Sequence, residues 1–235
     1  MRVQVIRHHA EDFAGFVGVA FEARGATIIG THLFPGDGPL PELDGIDHVV
    51  LLGSNSSVYE SGPGSDWIAA ELTWLRQADA AAVPVLGICF GAQALCAAHR
   101  GRVRAADHAE IGWHLVDSLD QDLIPAGPWL QYHHDLCQLP AGARLLASNE
   151  VGVQAFSLGR HLGVQFHPEV DGSQLAAWLT ADTRDELRRA GCDPDQFLAE
   201  TIAQERAAEV RADQIVAAAL RIAAAQQDSR RARSA

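Results

Sequence analysis

The sequence predicts an α/β fold with an open, mostly parallel sheet that carries helices on both faces. Short continuous apolar stretches, such as residues 48–52 and 83–88, are typical of strands buried on both faces. Segments with apolar residues at helical spacing, such as 12–24 and 66–80, separate these stretches. Apolar strands that alternate with helices predict parallel strands joined by helical crossovers.

The first hundred residues provide the alternating elements. Strands are predicted at 3–6, 26–33, 48–52 and 83–88, and helices at 12–24, 66–80 and 90–99. Gly25 is expected to end the first helix, and Ser65 to cap the start of the second. Residues 34–45 are rich in Pro and Gly, which predicts a loop.

The second half changes character. Short strands are predicted around residue 103 and at 111–116, 129–133, 144–147, 153–158 and 162–166. They are expected to be antiparallel additions that end in a return to the central sheet. The chain becomes helical from Ser173, and Asp193-Pro194 begins a last helix that extends to about Gln226. We therefore expect one domain at 1–190 and a C-terminal helical extension, residues 191–235, packed on it.

Composition excludes several classes of function. The chain has 235 residues, of which 48% are hydrophobic and 20% charged, as is usual for a folded globular protein. Its net charge of −12 argues against nucleic-acid binding through a basic surface. No apolar run is long enough to span a bilayer, and the N-terminus does not resemble a signal peptide. The expected location is cytoplasmic, without a membrane partner. All 18 basic residues are arginine, so a catalytic lysine is excluded.

The most informative segment runs from a buried strand directly into a helix. Gly87-Ile-Cys89-Phe90-Gly91 is a thiol version of the G-x-S-x-G nucleophile elbow. Small residues at 87 and 91 let the backbones pass closely, and a helix N-terminus favours the thiolate. The Phe90 amide is expected to point toward a developing oxyanion. A buried packing cysteine would be the alternative interpretation of this segment alone.

A second segment makes the catalytic interpretation more specific. The predicted strand at 162–166 is followed by His167-Pro168-Glu169. Sites in open α/β sheets form beyond the carboxyl ends of the strands, where Cys89 is also expected. His167 can take and return a proton, and Glu169 can hold its imidazole in one tautomer.

Together these two segments resemble the class I, or triad, glutamine amidotransferases, and most closely the stand-alone, GMP-synthase-like glutaminase domains. Supporting stretches are found at 51–59, 109–113 and 131–135, so that the resemblance covers about residues 1–170. It implies a flavodoxin-like sheet and no cofactor or metal. It also implies that Cys89 attacks the side-chain amide of glutamine to give a γ-glutamyl thioester and ammonia, and that water then releases glutamate.

The same resemblance assigns the remaining roles. His167 would be the general base and acid, with Glu169 as its orienting partner. Gly53 and Ser54 match the loop that provides a second oxyanion donor beside the Phe90 amide. Gln93 matches a residue near the bound glutamine.

The chain departs from the family at that loop. Relatives usually have Gly-Gly-Pro where this sequence has Gly53-Ser54-Asn55. A glycine can supply an amide in a conformation that most residues disfavour. Either the Ser54 amide still serves as donor, or the pocket has changed to accept another γ-glutamyl compound; neutral loop variation is the third possibility.

Histidines at 8, 9, 108, 114, 133 and 134 match no zinc-binding spacing, so structural or pocket roles are expected.

Three functions remain open. The first is a glutaminase that delivers ammonia to a separate synthetase, since the chain has no room for one. The second is a γ-glutamyl hydrolase or peptidase that needs no ammonia acceptor. The third is a catalytically silent binding module, against which the complete Cys89, His167 and Glu169 set argues. A fourth interpretation is the broader group of cysteine-elbow α/β proteins of chaperone or stress type, which share Gly-x-Cys-x-Gly with this chain but lack the His-Pro-Glu segment. The C-terminal helices could pack on the core, bind a partner or form a homodimer.

Overall fold

A computed structural model describes the backbone of residues 1–234 and the side chains of residues 1–227. The strands are β1 (Arg2–Arg7), β2 (Thr27–Leu33), β3 (His48–Leu51), β4 (Val85–Ile88), β5 (Arg102–Ser118), β6 (Gly127–Gln138), β7 (Arg144–Ser148), β8 (Val153–Leu158) and β9 (His161–Val164). The helices are α1 (Gly15–Ala23), α2 (Asp66–Ala80), α3 (Phe90–Ala98), α4 (Gly172–Trp178), α5 (Ala181–Arg189) and α6 (Pro194–Ser234).

All of these strands lie in one sheet in the order β2-β1-β3-β4-β9-β8-β7-β5-β6. The first five strands of this order pair in parallel, and the later pairs are antiparallel. The predicted α/β class and the antiparallel additions are thus confirmed. The order also places β4 beside β9, so the segments that follow these two strands emerge next to each other.

Helices cover both faces of the parallel part. Residues of α1 and α6, including Phe21, Ile215 and Val216, pack with Val3 and Val50 on one face. Residues of α2 and α3 cover the other face. Burial on both sides explains why β3 and β4 are continuous apolar runs.

The prediction of separate strands at 103 and 111–116 was wrong, because β5 is one strand from Arg102 to Ser118. Its pairing with β6 shifts register between Ala105 and Glu110. The polar residues in that interval interrupt the sequence pattern without ending the strand, as happens at a β-bulge.

Two predicted helix starts also differ from the structure. The first helix begins at Gly15 rather than at residue 12, where Asp12 is instead buried and accepts a hydrogen bond from Trp178. Ser65 precedes α2, but its hydroxyl donates to the Gly62 carbonyl and does not cap the helix. The predicted start at Asp193 is confirmed, since its carboxylate accepts from the Asp195 and Gln196 amides.

The last helix is longer than predicted and reaches Ser234, while Ala235 lies outside the described residues. The part of α6 around Ala212 and Ala219 belongs to the main apolar core. The division into residues 1–190 and 191–235 stays a prediction. Within residues 1–234, no helix combines the length and the apolar character needed to cross a membrane.

Candidate active site

Cys89 occupies the single residue between β4 and α3. Its backbone has φ 52° and ψ −109°, a conformation that residues other than glycine rarely adopt. Its N–H donates to the Val164 carbonyl of β9 at 2.8 Å, and its carbonyl accepts from the Gln93 amide at 3.1 Å. These two bonds hold the strained turn on the sheet and on the helix at once.

Gly87 and Gly91 make this turn possible, as the sequence predicted. A Cβ atom at Gly87 would lie 2.5 Å from the Gly91 carbonyl oxygen. One at Gly91 would lie 2.2 Å from the Leu51 carbonyl oxygen of β3. Both neighbours are backbone atoms, so no side-chain rotation could relieve either contact. The elbow is therefore packed directly against the two central strands.

His167 and Glu169 follow β9, which neighbours β4 in the sheet. The His167 backbone N–H donates to the Leu130 carbonyl of β6 at 2.9 Å. Its ring Nδ1 lies 2.8 Å from Glu169 Oε1. Both side chains are buried. With His167 Nδ1–H donating a hydrogen bond to the Glu169 carboxylate, Nε2 is the nitrogen available for proton transfer.

The electrostatics of the site favour a charged imidazole. Burial alone lowers the pKa of His167, but the nearby charges of Glu169 and Cys89 outweigh it and hold that pKa well above its ordinary value. His167 Nε2 is buried and makes no hydrogen bond of normal geometry within the described residues. The Cys89 thiol lies 3.8 Å from the Tyr132 carbonyl oxygen. Such loose contacts are common before a substrate binds.

The loop after β3 passes directly beside this group. A Cβ at Gly53 would lie 3.3 Å from His167 Cε1 and 3.8 Å from Cys89 Cβ. Neither Ser54 nor Asn55 has a positive φ angle. The departure from Gly-Gly-Pro therefore does not force these residues into a conformation that favours glycine. The Ser54 hydroxyl accepts from the Ser56 amide at 3.2 Å.

The remaining predicted residues lie on α3. Gln93 is buried, and its amide donates to Gln165 Oε1 at 3.2 Å. Phe90 is the first residue of α3, so its N–H has no acceptor within the helix. The Phe90 ring packs edge-on against His8 with a centroid distance of 5.0 Å.

A cavity of about 780 Å³ joins these elements. Among its lining residues are Gly53, Ser54, Cys89, Gln93, His167 and Glu169. The structure thus brings six of the seven predicted site residues to one cavity, and the seventh, Phe90, is not among the residues that line it. A second cavity of about 710 Å³ lies between β5 and the α5–α6 turn, away from Cys89.

Sequence analysis missed two aromatic residues and one acid of this cavity. Trp178 of α4 packs edge-on against His167 at 5.4 Å and lies beside Tyr132. Its indole N–H donates to Asp12 at 2.9 Å, and burial raises the pKa of Asp12. Tyr132 lies within the stretch 131–135 that supports the family resemblance, but no motif marks Trp178 or Asp12, because their proximity depends on where α4 lies relative to the site.

One group has ligand types that a metal ion could use. Asp79, His99 and His161 bring their side-chain ligand atoms within 4.8 Å of one another. However, His161 Nδ1 accepts a hydrogen bond from the Val85 amide at 3.1 Å. Its Nε2 must then carry the proton of the neutral ring, and it lies 3.3 Å from Asp79. That protonated nitrogen cannot ligate a metal, so the group fits a hydrogen-bonded cluster better.

The family model for class-I glutamine amidotransferases matches residues 23–184, which is more than half of the chain. The chain therefore belongs to the class-I glutamine amidotransferase family, and the resemblance carried by the Cys89 and His167 segments is confirmed.

Its relatives include two kinds of hydrolytic enzyme. A γ-glutamyl-L-1-hydroxyisopropylamide hydrolase from a Pseudomonas species is 30% identical over 172 residues, which is 64% of this chain and 57% of that protein. The glutamine-hydrolysing GMP synthase of Ralstonia nicotianae is 30% identical over 171 residues, 66% of this chain and 29% of the synthase. This chain thus spans little more than half of the hydrolase and under a third of that synthase.

Solved structures support the fold over nearly the whole chain. A glutamine amidotransferase from Thermotoga maritima has a TM-score of 0.84 and 25% identity, covering 95% of this chain and 98% of that one. A glutamine amidotransferase from Methylobacillus flagellatus shares the fold with a TM-score of 0.81 and 24% identity, covering 94% of each chain.

Proposed function

We propose that this chain is a glutaminase that hydrolyses the side-chain amide of glutamine and delivers the ammonia to a separate synthetase. The observation that carries the proposal is the placement of a thiol on a strained elbow beside an imidazole whose Nδ1 is bound by a buried carboxylate. That arrangement is the one nucleophilic acyl transfer requires.

In the proposed reaction, His167 Nε2 takes the proton of the Cys89 thiol. The sulfur attacks the amide carbon and forms a tetrahedral oxyanion. The carbon–nitrogen bond breaks as His167 returns the proton to the departing nitrogen, which leaves as ammonia. Water then attacks the thioester with His167 as base, and the proton returns to the sulfur as glutamate departs. Glu169 stabilises the imidazolium formed in both halves.

The backbone amides of Ser54 and Phe90 are proposed to hold the oxyanion. The Phe90 amide is free of intrahelical acceptors at the start of α3, where the helix dipole also favours negative charge. The loop after β3, which carries Ser54, passes close to the reacting groups, since a Cβ built at Gly53 would lie 3.3 Å from His167 Cε1. Gln93 is proposed to contact the substrate from α3.

Glutamate release from glutamine by the purified chain tests the proposal. We expect turnover that is lost in Cys89→Ala and retained in Cys192→Ala, because Cys192 is a half-buried thiol outside the site. Labelling of Cys89 by a glutamine-derived electrophile would follow the same pattern. Failure of both turnover and labelling would refute catalysis and favour the silent binding module.

A γ-glutamyl hydrolase is the second candidate. Two observations favour it: the cavity of about 780 Å³ is near the upper end for small-molecule sites, and one relative is named for a γ-glutamyl amide with a larger leaving group. Parallel kcat/KM measurements on glutamine, γ-glutamyl dipeptides and γ-glutamyl alkylamides decide between the two. Higher kcat/KM for the conjugates would replace the glutaminase assignment.

The predicted synthetase partner is supported by relatives that are glutamine-hydrolysing GMP synthases. We propose residues 1–190 as the catalytic domain, a cytoplasmic location, and either core packing or self-association for α6. Co-purification of a synthetase with the full chain would directly support the proposed synthetase partner.

A further inference from the structure

A buried histidine–glutamate pair lies directly beneath the loop that carries Gly53. His8, just after β1, places Nδ1 2.7 Å from the Gly53 carbonyl oxygen and Nε2 3.0 Å from Glu71 Oε1 of α2. The His8 and Glu71 side chains are 2% and 0% exposed. Neither residue is part of the proposed catalytic group.

Hydrogen-bond chemistry defines the protons in this pair. The Gly53 carbonyl can only accept, so His8 Nδ1 must carry a proton. The contact at Nε2 then joins either an imidazolium to a carboxylate or a neutral imidazole to a protonated Glu71. In both cases one proton lies between the two side chains, and the Nδ1 donor is retained. Burial lowers the pKa of His8, but Glu71 and the Gly53 carbonyl outweigh it and raise that pKa.

The surroundings keep the His8 ring in one orientation. Trp67 lies 5.2 Å from it and Phe90 5.0 Å from it, measured between ring centroids. Glu71 Oε2 has no hydrogen-bond partner within the described residues, so the contact of Oε1 with His8 holds this carboxylate. The ring therefore links β1, α2 and the start of α3 to one carbonyl of the loop.

That carbonyl shares a peptide plane with the amide proposed as an oxyanion donor. In a trans peptide the C=O of residue 53 and the N–H of residue 54 point in opposite directions. A donor that holds the Gly53 oxygen toward His8 therefore directs the Ser54 N–H to the opposite edge of the peptide, away from His8. Cys89 and His167 lie next to the same loop, since a Cβ at Gly53 would be 3.8 Å from Cys89 Cβ and 3.3 Å from His167 Cε1.

We infer that His8, held by Glu71, is a positioning residue that fixes the Gly53–Ser54 peptide with its N–H directed at the oxyanion. This inference rests on the proposed hydrolysis. It also explains how a Ser-Asn loop can retain the donor that relatives build from Gly-Gly-Pro, because the orientation comes from the bond beneath the loop.

Two substitutions separate the contacts of His8. His8→Asn keeps a donor near the Nδ1 position, and His8→Gln keeps one near the Nε2 position. Loss of an oxyanion donor lowers kcat by about 10²–10³-fold. We expect His8→Gln to lower kcat by about 10- to 100-fold with KM within twofold, since the loss affects the transition state and not substrate binding. His8→Asn should recover most of that loss.

Alkylation of Cys89 by iodoacetamide provides the control, because displacement of iodide forms no oxyanion. In a Cys192→Ala background, the alkylation rate should stay within twofold for both variants. His48→Gln, which removes another buried imidazole, should keep the unmodified kcat.

A normal kcat in His8→Gln would overturn the inference while turnover by the unmodified chain upheld the proposed function. A parallel fall of kcat and alkylation rate would also overturn it, since that result indicates general disruption. No Cys89-dependent turnover in the unmodified chain would refute the proposed function, and the inference with it.

Discussion

Replacing Gly91 with alanine tests how tightly the elbow is packed against the sheet. The added Cβ would meet the Leu51 carbonyl oxygen at 2.2 Å and the Leu51 carbonyl carbon at 2.9 Å. Ordinary contacts of this kind exceed about 3 Å, so the helix start and β3 must separate by roughly 1 Å. The adjoining residues are Cys89 on one side and the Gly53 loop on the other.

The expected loss of stability is about 2 kcal/mol. Overpacking of a well-packed core costs about 1–3 kcal/mol, occasionally more, and a backbone neighbour puts Gly91→Ala at the upper end. Alanine regains up to about 1 kcal/mol of helix propensity within α3. The net loss of about 2 kcal/mol corresponds to a fall in melting temperature of roughly 4–8 °C for a chain of this size.

The effect on catalysis should be larger than the effect on stability. A displacement of 1 Å between reacting groups costs about 10²-fold in rate, so kcat for glutamine hydrolysis should fall by about that factor. Calorimetry and the glutamate-release assay measure the two effects. Gly30→Ala is the matched control, because a Cβ there meets only the Gln4 side chain at 3.4 Å. A Gly91→Ala variant with normal melting temperature and normal kcat would refute the close approach.

Three further predictions concern single ionisable or strained residues. Glu169→Gln should lower kcat by about 10²–10⁴-fold. The substitution should also lower the pKa of His167, so that the alkaline limb of the pH profile of kcat/KM moves to lower pH. An alkaline limb at the same pH as in the unmodified chain would contradict the pairing of Glu169 with His167. Cys89→Gly should unfold at a higher denaturant concentration than Cys89→Ala, because glycine relieves about 1–3 kcal/mol of backbone strain. This gain exceeds the cost of about 0.4–1 kcal/mol from the greater entropy of the unfolded chain with glycine. The reverse order of stability would argue against backbone strain at φ 52°. Burial lowers the pKa of His48 to about 4, so the unfolded chain binds one more proton than the folded chain between about pH 6.5 and pH 4. The free energy of unfolding should therefore fall by about 3 kcal/mol as the pH drops through that range, and this loss should be absent in His48→Phe. Equal pH dependence of unfolding in both proteins would exclude His48 as its source.

The sequence allowed the class of fold and most residues of the candidate site to be predicted, because both depend on local patterns. The apolar runs of β3 and β4 report burial on both faces, and the elbow needs glycine at 87 and 91 for contacts that the structure shows at backbone atoms. Cys89 follows β4 and His167 follows β9. These two strands are parallel neighbours in the sheet, so the proximity of the two residues follows from the topology.

What the sequence did not reveal depends on contacts between distant segments. The hydroxyl of Ser65 matched a cap pattern, yet it bonds back to Gly62 and leaves α2 uncapped by a side chain. Trp178 reaches Asp12 across 166 residues, and no local pattern reports that distance.

His8 shows most clearly how a residue can be visible in a sequence while its role is not. Its neighbour His9 lines the cavity, and the His-His pair alone suggests a substrate or metal contact. In the structure the adjacent side chains part: His9 faces the cavity, whereas His8 turns inward to Gly53 and Glu71. Successive side chains of an extended strand point to opposite sides, which explains why His8 and His9 diverge at the end of β1. The partner of His8, Glu71, lies 63 positions away on α2. The motifs at Cys89 and His167 therefore lie close to a buried pair, His8 and Glu71, that only the folded sheet brings together.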